Sequence, residues 1–235
     1  MIFRTPNLIC AFSQRPENMS LAYGDTLDSL KNREIFLSGL GIDYRQLVCA
    51  RQVHGVGVRY AGESDKGKGA LSYATALADT DALVTDKKNL ALAVFTADCL
   101  SVFLYDPRRL AVGIVHAGWQ STKGNIVREA IRVMQDKFDT RSRDLLAGFG
   151  PAIRECCYEV GAEFRGYFPG GIIERKGRNY LDLAGVNKGE LLDAGVAGKN
   201  ISDCKICTSC RNDKYFSYRI EAGKAGRMMS VIMLR

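Results

Sequence analysis

The stretch LALAVFTADCLSVFLYDPRRLAVGIVHAGW, residues 90–119, decides how this chain folds. It holds three short apolar runs, at 90–97, 101–105 and 110–116, each of strand length and bounded by polar or turn-forming residues. Asp106-Pro107-Arg108-Arg109 joins the second run to the third as a tight connection, since proline presets φ for a turn. The pattern predicts consecutive buried strands. Working outward, similar runs lie at 46–53, at Ala82–Thr85 and at 229–234.

Helical spacing is clearest over 122–138. There Ile126, Val127, Ala130, Ile131, Val133, Met134 and Phe138 recur near a 3.6-residue period, with Ser121 placed as N-cap. Weaker helical patterns cover 27–40, 161–168 and 186–194. The polar, glycine-rich segment 61–70 is expected to be a loop with freedom to move. Strands and helices alternate only in part. The expected fold class is therefore α/β (α+β), a single compact domain over 1–235 with mixed β-sheets flanked by helices.

Composition narrows the function classes. Of 235 residues, 46% are hydrophobic and 25% charged, which suits a packed core and argues against disorder. The longest apolar runs fall far short of the roughly 20 residues that span a bilayer. Residues 1–15 carry no charged leader followed by an apolar core, so neither a signal peptide nor a membrane partner is expected. Eight cysteines without such a leader point to a reducing cytoplasm, with thiols free or metal-bound. The net charge of +7 is scattered rather than clustered, and no nucleic-acid-binding signature is present. A basic surface of this kind favours anionic small molecules such as phosphate. Nothing in the sequence specifies an oligomeric state.

Only two histidines occur, and each closes a strand-like run: LVCARQVH ends at His54 and LAVGIVH ends at His116. LALAVFTADC ends at Cys99. Gly55 breaks the first run and Ala117-Gly118 the second. Strand ends are where α/β folds build sites. Two imidazoles, a thiolate and a water would form an open zinc site, lowering the pKa of its water to about 7. The three residues are far apart in sequence. Spacing alone leaves a three-ligand centre and ordinary core residues both open. A helix beginning just past His116 would also offer free N–H groups to a phosphate.

At these positions the chain resembles the YfiH-type laccase-domain family, also called peptidoglycan editing factors or purine nucleoside phosphorylases. The matching segments are FSQR (12–15), NRE (32–34), RQVHG (51–55), DALVTD (81–86), TADCLSVFLYDP (96–107) and VHAGW (115–119). GPAIRECCYEVG (150–161), DLAGVNKGELLDAGV (182–196), CTSC (207–210) and YFSYR (215–219) follow in the expected order. The resemblance implies that His54, Cys99 and His116 are the metal ligands and catalytic centre, with Zn2+ as cofactor and copper as the lesser alternative. It implies phosphorolysis of adenosine, inosine, guanosine and methylthioadenosine, together with adenosine deamination. The small-molecule partners are then a nucleoside and phosphate. The fold implied is similar to the cytotoxic necrotizing factor catalytic domain. Two departures stand out. Gln120-Ser121 replaces the Arg-Gly that commonly follows HAGW, removing a bidentate anion donor. Segment 13–24 is also shorter and less glycine-rich than usual.

Arg33, Gln52, Asp98 and Arg219 lie inside the matched motifs. Each could bind substrate or orient a ligand, and each could equally satisfy buried backbone. Trp119 could stack a purine or pack in the core. Cys204, Cys207 and Cys210 have metal-motif spacing but lack the fourth cysteine of a ferredoxin pattern, so they are expected to be structural thiols. Cys156-Cys157 reads as core packing. Three competing functions remain: a cysteine hydrolase or amidase editing peptidoglycan precursors with Cys99 as nucleophile, a copper-dependent polyphenol oxidase, and a non-catalytic binding protein. A multicopper oxidase needs far more than two histidines.

Overall fold

The computed structural model describes residues 5–235; residues 1–4, part of the segment read above for a leader, lie outside the described residues. The strands are β1 (Leu8–Phe12), β2 (Leu47–Cys49), β3 (Val58–Tyr60), β4 (Ala82–Thr85), β5 (Ala91–Thr96), β6 (Leu100–Asp106) and β7 (Ala111–Ala117). They continue with β8 (Leu146–Phe149), β9 (Glu159–Val160), β10 (Ile172–Arg175), β11 (Arg178–Leu181), β12 (Ile201–Asp203) and β13 (Met228–Leu234). The α-helices are α1 (Thr26–Gly39), α2 (Trp119–Lys123), α3 (Ile126–Phe138), α4 (Phe164–Tyr167), α5 (Leu183–Asp193) and α6 (Tyr218–Glu221).

Two mixed sheets carry the fold, ordered β1-β13-β5-β2 and β12-β8-β6-β7-β4-β3. Alternation along each strand separates two faces. Leu92 and Val94 of β5 meet Phe103 of β6 and Val112 and Ile114 of β7 in the buried layer between the sheets. On the outer face of the larger sheet, Val102, Leu104 and Val115 pack against Ile131 and Met134 of α3 and Leu191 of α5. On the outer face of the smaller sheet, Leu47, Ala91 and Ala93 pack against Leu37 of α1. The layers therefore run helix, sheet, sheet, helices. Each fully buried Leu, Val or Phe contributes about 1.5–3 kcal/mol relative to exposure. A third, small sheet, β10-β11-β9, stands beside this core.

The strands read from 90–119 form within one residue of their expected limits. Elsewhere the chain departs from the reading. The run at 46–53 is a strand only over Leu47–Cys49, because the chain beyond it turns toward Asp81. The helix expected from 122 to 138 is two helices, broken where Asn125 takes the left-handed φ of 60°. Ser121 is thus no N-cap. It lies inside α2 with its Oγ buried and unpaired. Glu190 of α5 is buried close to Val127 and Arg128 in the first turn of α3. The helix that begins just past His116 is the five-residue α2, whose N-cap Gly118 brings no side-chain cap. The 161–168 helix shrinks to a single turn, Phe164–Tyr167. Segment 61–70 is tied down, since Lys68 accepts from Cys49 N–H at 2.9 Å and Gly67 N–H donates to Leu47 at 2.9 Å.

Candidate metal centre

The site forms at one end of the inter-sheet layer. His116 lies in β7, on the face shared with Val112 and Ile114, and is only 2% exposed. Cys99 sits in the turn from β5 to β6. His54 sits in the loop after β2. Asp81, immediately before β4, brings the pieces together. Its carboxylate accepts from His116 Nδ1 at 2.8 Å, His54 N–H at 3.0 Å, Gly55 N–H at 2.8 Å and Val53 N–H at 3.2 Å. Three consecutive amides can converge on one carboxylate because His54 adopts φ 59°, a left-handed conformation in which His is enriched among non-glycine residues. Engaging Nδ1 of His116 with Asp81 leaves Nε2 as the ring nitrogen free to ligate.

Two further supports fix the geometry. The Gln52 side chain donates to Phe95 C=O at 2.8 Å and accepts from Phe95 N–H at 2.7 Å, so it prolongs the β2–β5 ladder with side-chain atoms. Asp98, at φ 88°, accepts from Thr208 Oγ1 at 2.6 Å and Arg219 N–H at 2.6 Å, and its carbonyl accepts from Ile153 N–H at 2.9 Å. Cys99 is thereby held from the neighbouring residue.

The ligand-capable atoms of His54, Cys99 and His116 all lie within 4.8 Å of one another. The two imidazoles meet edge to face with centroids 4.8 Å apart. Gly118 keeps this cluster open: a Cβ there would stand 3.1 Å from both Cys99 Sγ and His54 Cδ2. Two nitrogens, one sulfur and a cradle that a methyl group would crowd suit a zinc-sized cation, and His54, Cys99 and His116 are the residues that could hold it. Burial alone would push the Cys99 thiol up, but the facing His116 and His54 bring it down to about 6. Burial would lower His116, yet Cys99 and Asp81 raise it to about 9. Asp81 is held low despite its burial by His116 and the amides of Gly55 and Val53. The Cys99 thiolate and the protonated His116 ring therefore stabilise one another across the cluster, and a cation binding there would take the place of the His116 proton.

The centre opens into a cavity of about 570 Å³. Tyr23, Tyr73, Trp119, Tyr158 and Tyr218 supply its aromatic walls. Trp119 also stacks on Tyr167, with centroids 6.1 Å apart, so its ring serves both packing and cavity. Arg33, Gln52, Asp98 and Arg219 line the same cavity, but their polar atoms are largely committed. Arg33 donates to the carbonyls of Met19, Gly69 and Ala70 at 2.6, 2.8 and 2.9 Å. Arg219 donates to the carbonyls of Cys157 and Glu159 at 3.3 and 3.0 Å. Asp81, Gly118 and Thr208 were not singled out from the sequence. For Asp81 the available signal is an acid standing directly before the short, largely apolar run Ala82–Thr85.

A mixed-sheet α/β protein with a two-histidine, one-cysteine candidate centre at the floor of an aromatic cavity is the class that fold and site define. The chain belongs to the YfiH-type laccase-domain family, whose model, described as multi-copper polyphenol oxidoreductase laccase, matches residues 12–235. It is 35% identical over 216 residues to the purine nucleoside phosphorylase YlmD of Bacillus subtilis (strain 168), covering 88% of this chain and 78% of that one. It is 32% identical to the adenosine deaminase RL5 of an unknown prokaryotic organism, covering 88% and 82% of the two chains. The crystal structure of YlmD from Geobacillus stearothermophilus superposes with a TM-score of 0.94 at 31% identity, over 98% of this chain and 93% of that one.

Proposed function

We propose that the chain, acting as one catalytic domain in the cytoplasm, is a zinc-dependent purine nucleoside phosphorylase with adenosine deaminase activity. Its substrates are adenosine, inosine, guanosine and methylthioadenosine, with phosphate as co-substrate. The observation that carries this reading is the convergence of His54, Cys99 and His116 on the floor of an aromatic cavity. The names of the relatives support the substrate class. No described helix is long and apolar enough to cross a membrane.

A zinc ion, when bound by these three side chains, supplies a Lewis acid that activates an oxygen nucleophile at neutral pH. The chain's own residues do the rest. Asp81 fixes the tautomer and ring angle of His116. The aromatic walls stack and desolvate a purine, and 570 Å³ falls within the range of ordinary ligand cavities. Arg33, Arg219 and Arg227 on the lining give the cavity a positive field that draws in phosphate. Burial and the nearby Cys99 push the Tyr158 hydroxyl up, so it remains a proton-bearing donor inside the cavity. In phosphorolysis a phosphate oxygen bonds to C1′ while the C1′–N9 bond breaks, its electron pair leaving with the purine. In deamination water adds at C6 and ammonia leaves.

The test is adenosine with and without phosphate, using purified, zinc-loaded protein. Adenine and ribose 1-phosphate are expected with phosphate, and inosine without it. Absence of all three products refutes the proposal. The low-lying thiol of Cys99 beside His116 favours a second reading, a cysteine hydrolase acting on peptidoglycan precursors. Stoichiometric zinc that protects Cys99 from alkylation excludes it. Copper-dependent polyphenol oxidation is excluded by a copper-loaded protein that is colourless and leaves phenols unoxidised.

A further inference from the structure

Four cysteines outside the cavity meet at a second place. Cys156 and Cys157 lie on a turn in which Cys157 N–H and Tyr158 N–H both bond to Arg154 C=O at 2.8 Å. Cys207 and Cys210 lie on a second turn, closed by Arg211 N–H to Cys207 C=O at 3.0 Å. Backbone pairing of Ala152 with Thr208 and Ile206 holds the turns side by side. All four sulfurs lie within 4.8 Å of one another. Cys210 Sγ is 3.6 Å from Cys156 Sγ and 3.3 Å from Cys157 Sγ. Cys204, which the C-x-x-C-x-x-C spacing had grouped with the others, is not among them.

Core packing does not account for this arrangement, because Cys156 and Cys210 are exposed. The spacing instead matches metal coordination. Zinc–sulfur bonds of about 2.3 Å at tetrahedral angles place sulfurs about 3.8 Å apart. A disulfide would need about 2.05 Å. An iron–sulfur cluster spreads its thiolates further, since bridged irons lie between them. Charge agrees as well. Four thiolates around one divalent ion carry two net negative charges. Arg175, Lys176 and Arg178 share a surface depression with Cys156, and the Arg175 guanidinium bonds to Glu155 C=O.

We propose that Cys156, Cys157, Cys207 and Cys210 bind a second zinc ion in a closed, tetrahedral, structural site. The site clips together the two segments that wall the cavity. Ile153 and Tyr158 come from one, Tyr218 and Arg219 from the other. Thr208, between the two later cysteines, bonds to Asp98. Arg219 bonds back to Cys157 and Glu159. The inference does not depend on the reaction proposed above.

The test counts zinc per chain in full-length protein purified without chelators. Two are expected in the wild type, one in a Cys156→Ser/Cys210→Ser variant and one in His116→Ala. The double variant replaces the two exposed sulfurs, so the core is undisturbed. A second readout is cobalt(II) substitution of His116→Ala, which should show the intense sulfur-to-cobalt absorption of a four-sulfur tetrahedral site. One zinc or none in the wild type, with no change on serine substitution, overturns the proposal. So does a cobalt spectrum of one-sulfur character, iron in place of zinc, or a disulfide among these four cysteines in the chain as purified.

Discussion

Replacing Asp81 by Asn probes the organiser of the candidate centre with the least change in shape. The wild-type carboxylate is fully buried and accepts four hydrogen bonds, two on each oxygen. An asparagine keeps one acceptor oxygen and turns the other into an NH2 that faces donors. Turned one way, the amide loses Val53 N–H and Gly55 N–H; turned the other, it loses His54 N–H and holds His116 in the tautomer whose Nδ1 accepts, so that Nε2 carries the proton and cannot ligate. At about 1.5–3 kcal/mol for each hydrogen bond to a charged group, the loss is roughly 1.5–6 kcal/mol. Part of it appears as global stability, read by urea unfolding. The rest appears as misorientation of His54 and His116, for which loss of an outer partner typically costs about 10–100-fold in metal affinity. Chelator competition with zinc measures that part. An Asp81→Asn protein with unchanged unfolding midpoint and zinc affinity within about twofold of wild type refutes the role given to Asp81.

Three other substitutions follow from the same geometry. Gly118→Ala sets a Cβ 3.1 Å from Cys99 Sγ and His54 Cδ2; zinc affinity measured by chelator competition should fall by roughly tenfold or more while the circular dichroism spectrum is retained. Gln52→Ala removes both bonds to Phe95, and urea unfolding should show a loss of about 1–3 kcal/mol. Burial raises Glu190 to about 7, so the folded state binds a proton that the unfolded chain releases at its ordinary carboxylate pKa. Wild-type stability relative to Glu190→Gln should therefore fall as pH rises from about 4.5 to 7, by up to about 3 kcal/mol. Parallel stability–pH curves for the two proteins would contradict that assignment.

The central strands were legible because β5, β6 and β7 are buried on both faces and so read as continuous apolar runs. The hairpin β10–β11 was not, since Leu181 is its only fully buried residue and neither strand shows a continuous apolar run. Its signal was Lys176-Gly177, both at positive φ, in a two-residue turn joining Arg175 to Arg178. The break between α2 and α3 was likewise written in Gly124-Asn125, hidden by an apolar periodicity that continues on its far side. At the site, spacing could not bring His54, Cys99 and His116 together, because their convergence depends on two sheets closing over one another. Family resemblance linked those three residues. Asp81 escaped because an acid at the head of a strand reads like any turn residue. Cys156 and Cys157 escaped as partners of Cys207 and Cys210 because some 50 residues separate the pairs.

Anomalous diffraction at the zinc edge from crystals of the metal-loaded chain addresses the central claim most directly. A peak about 2.0–2.3 Å from the sulfur of Cys99 and from one ring nitrogen each of His54 and His116 is the expected result. Fully occupied zinc elsewhere in the crystal, with no anomalous density among these three side chains, would contradict the account.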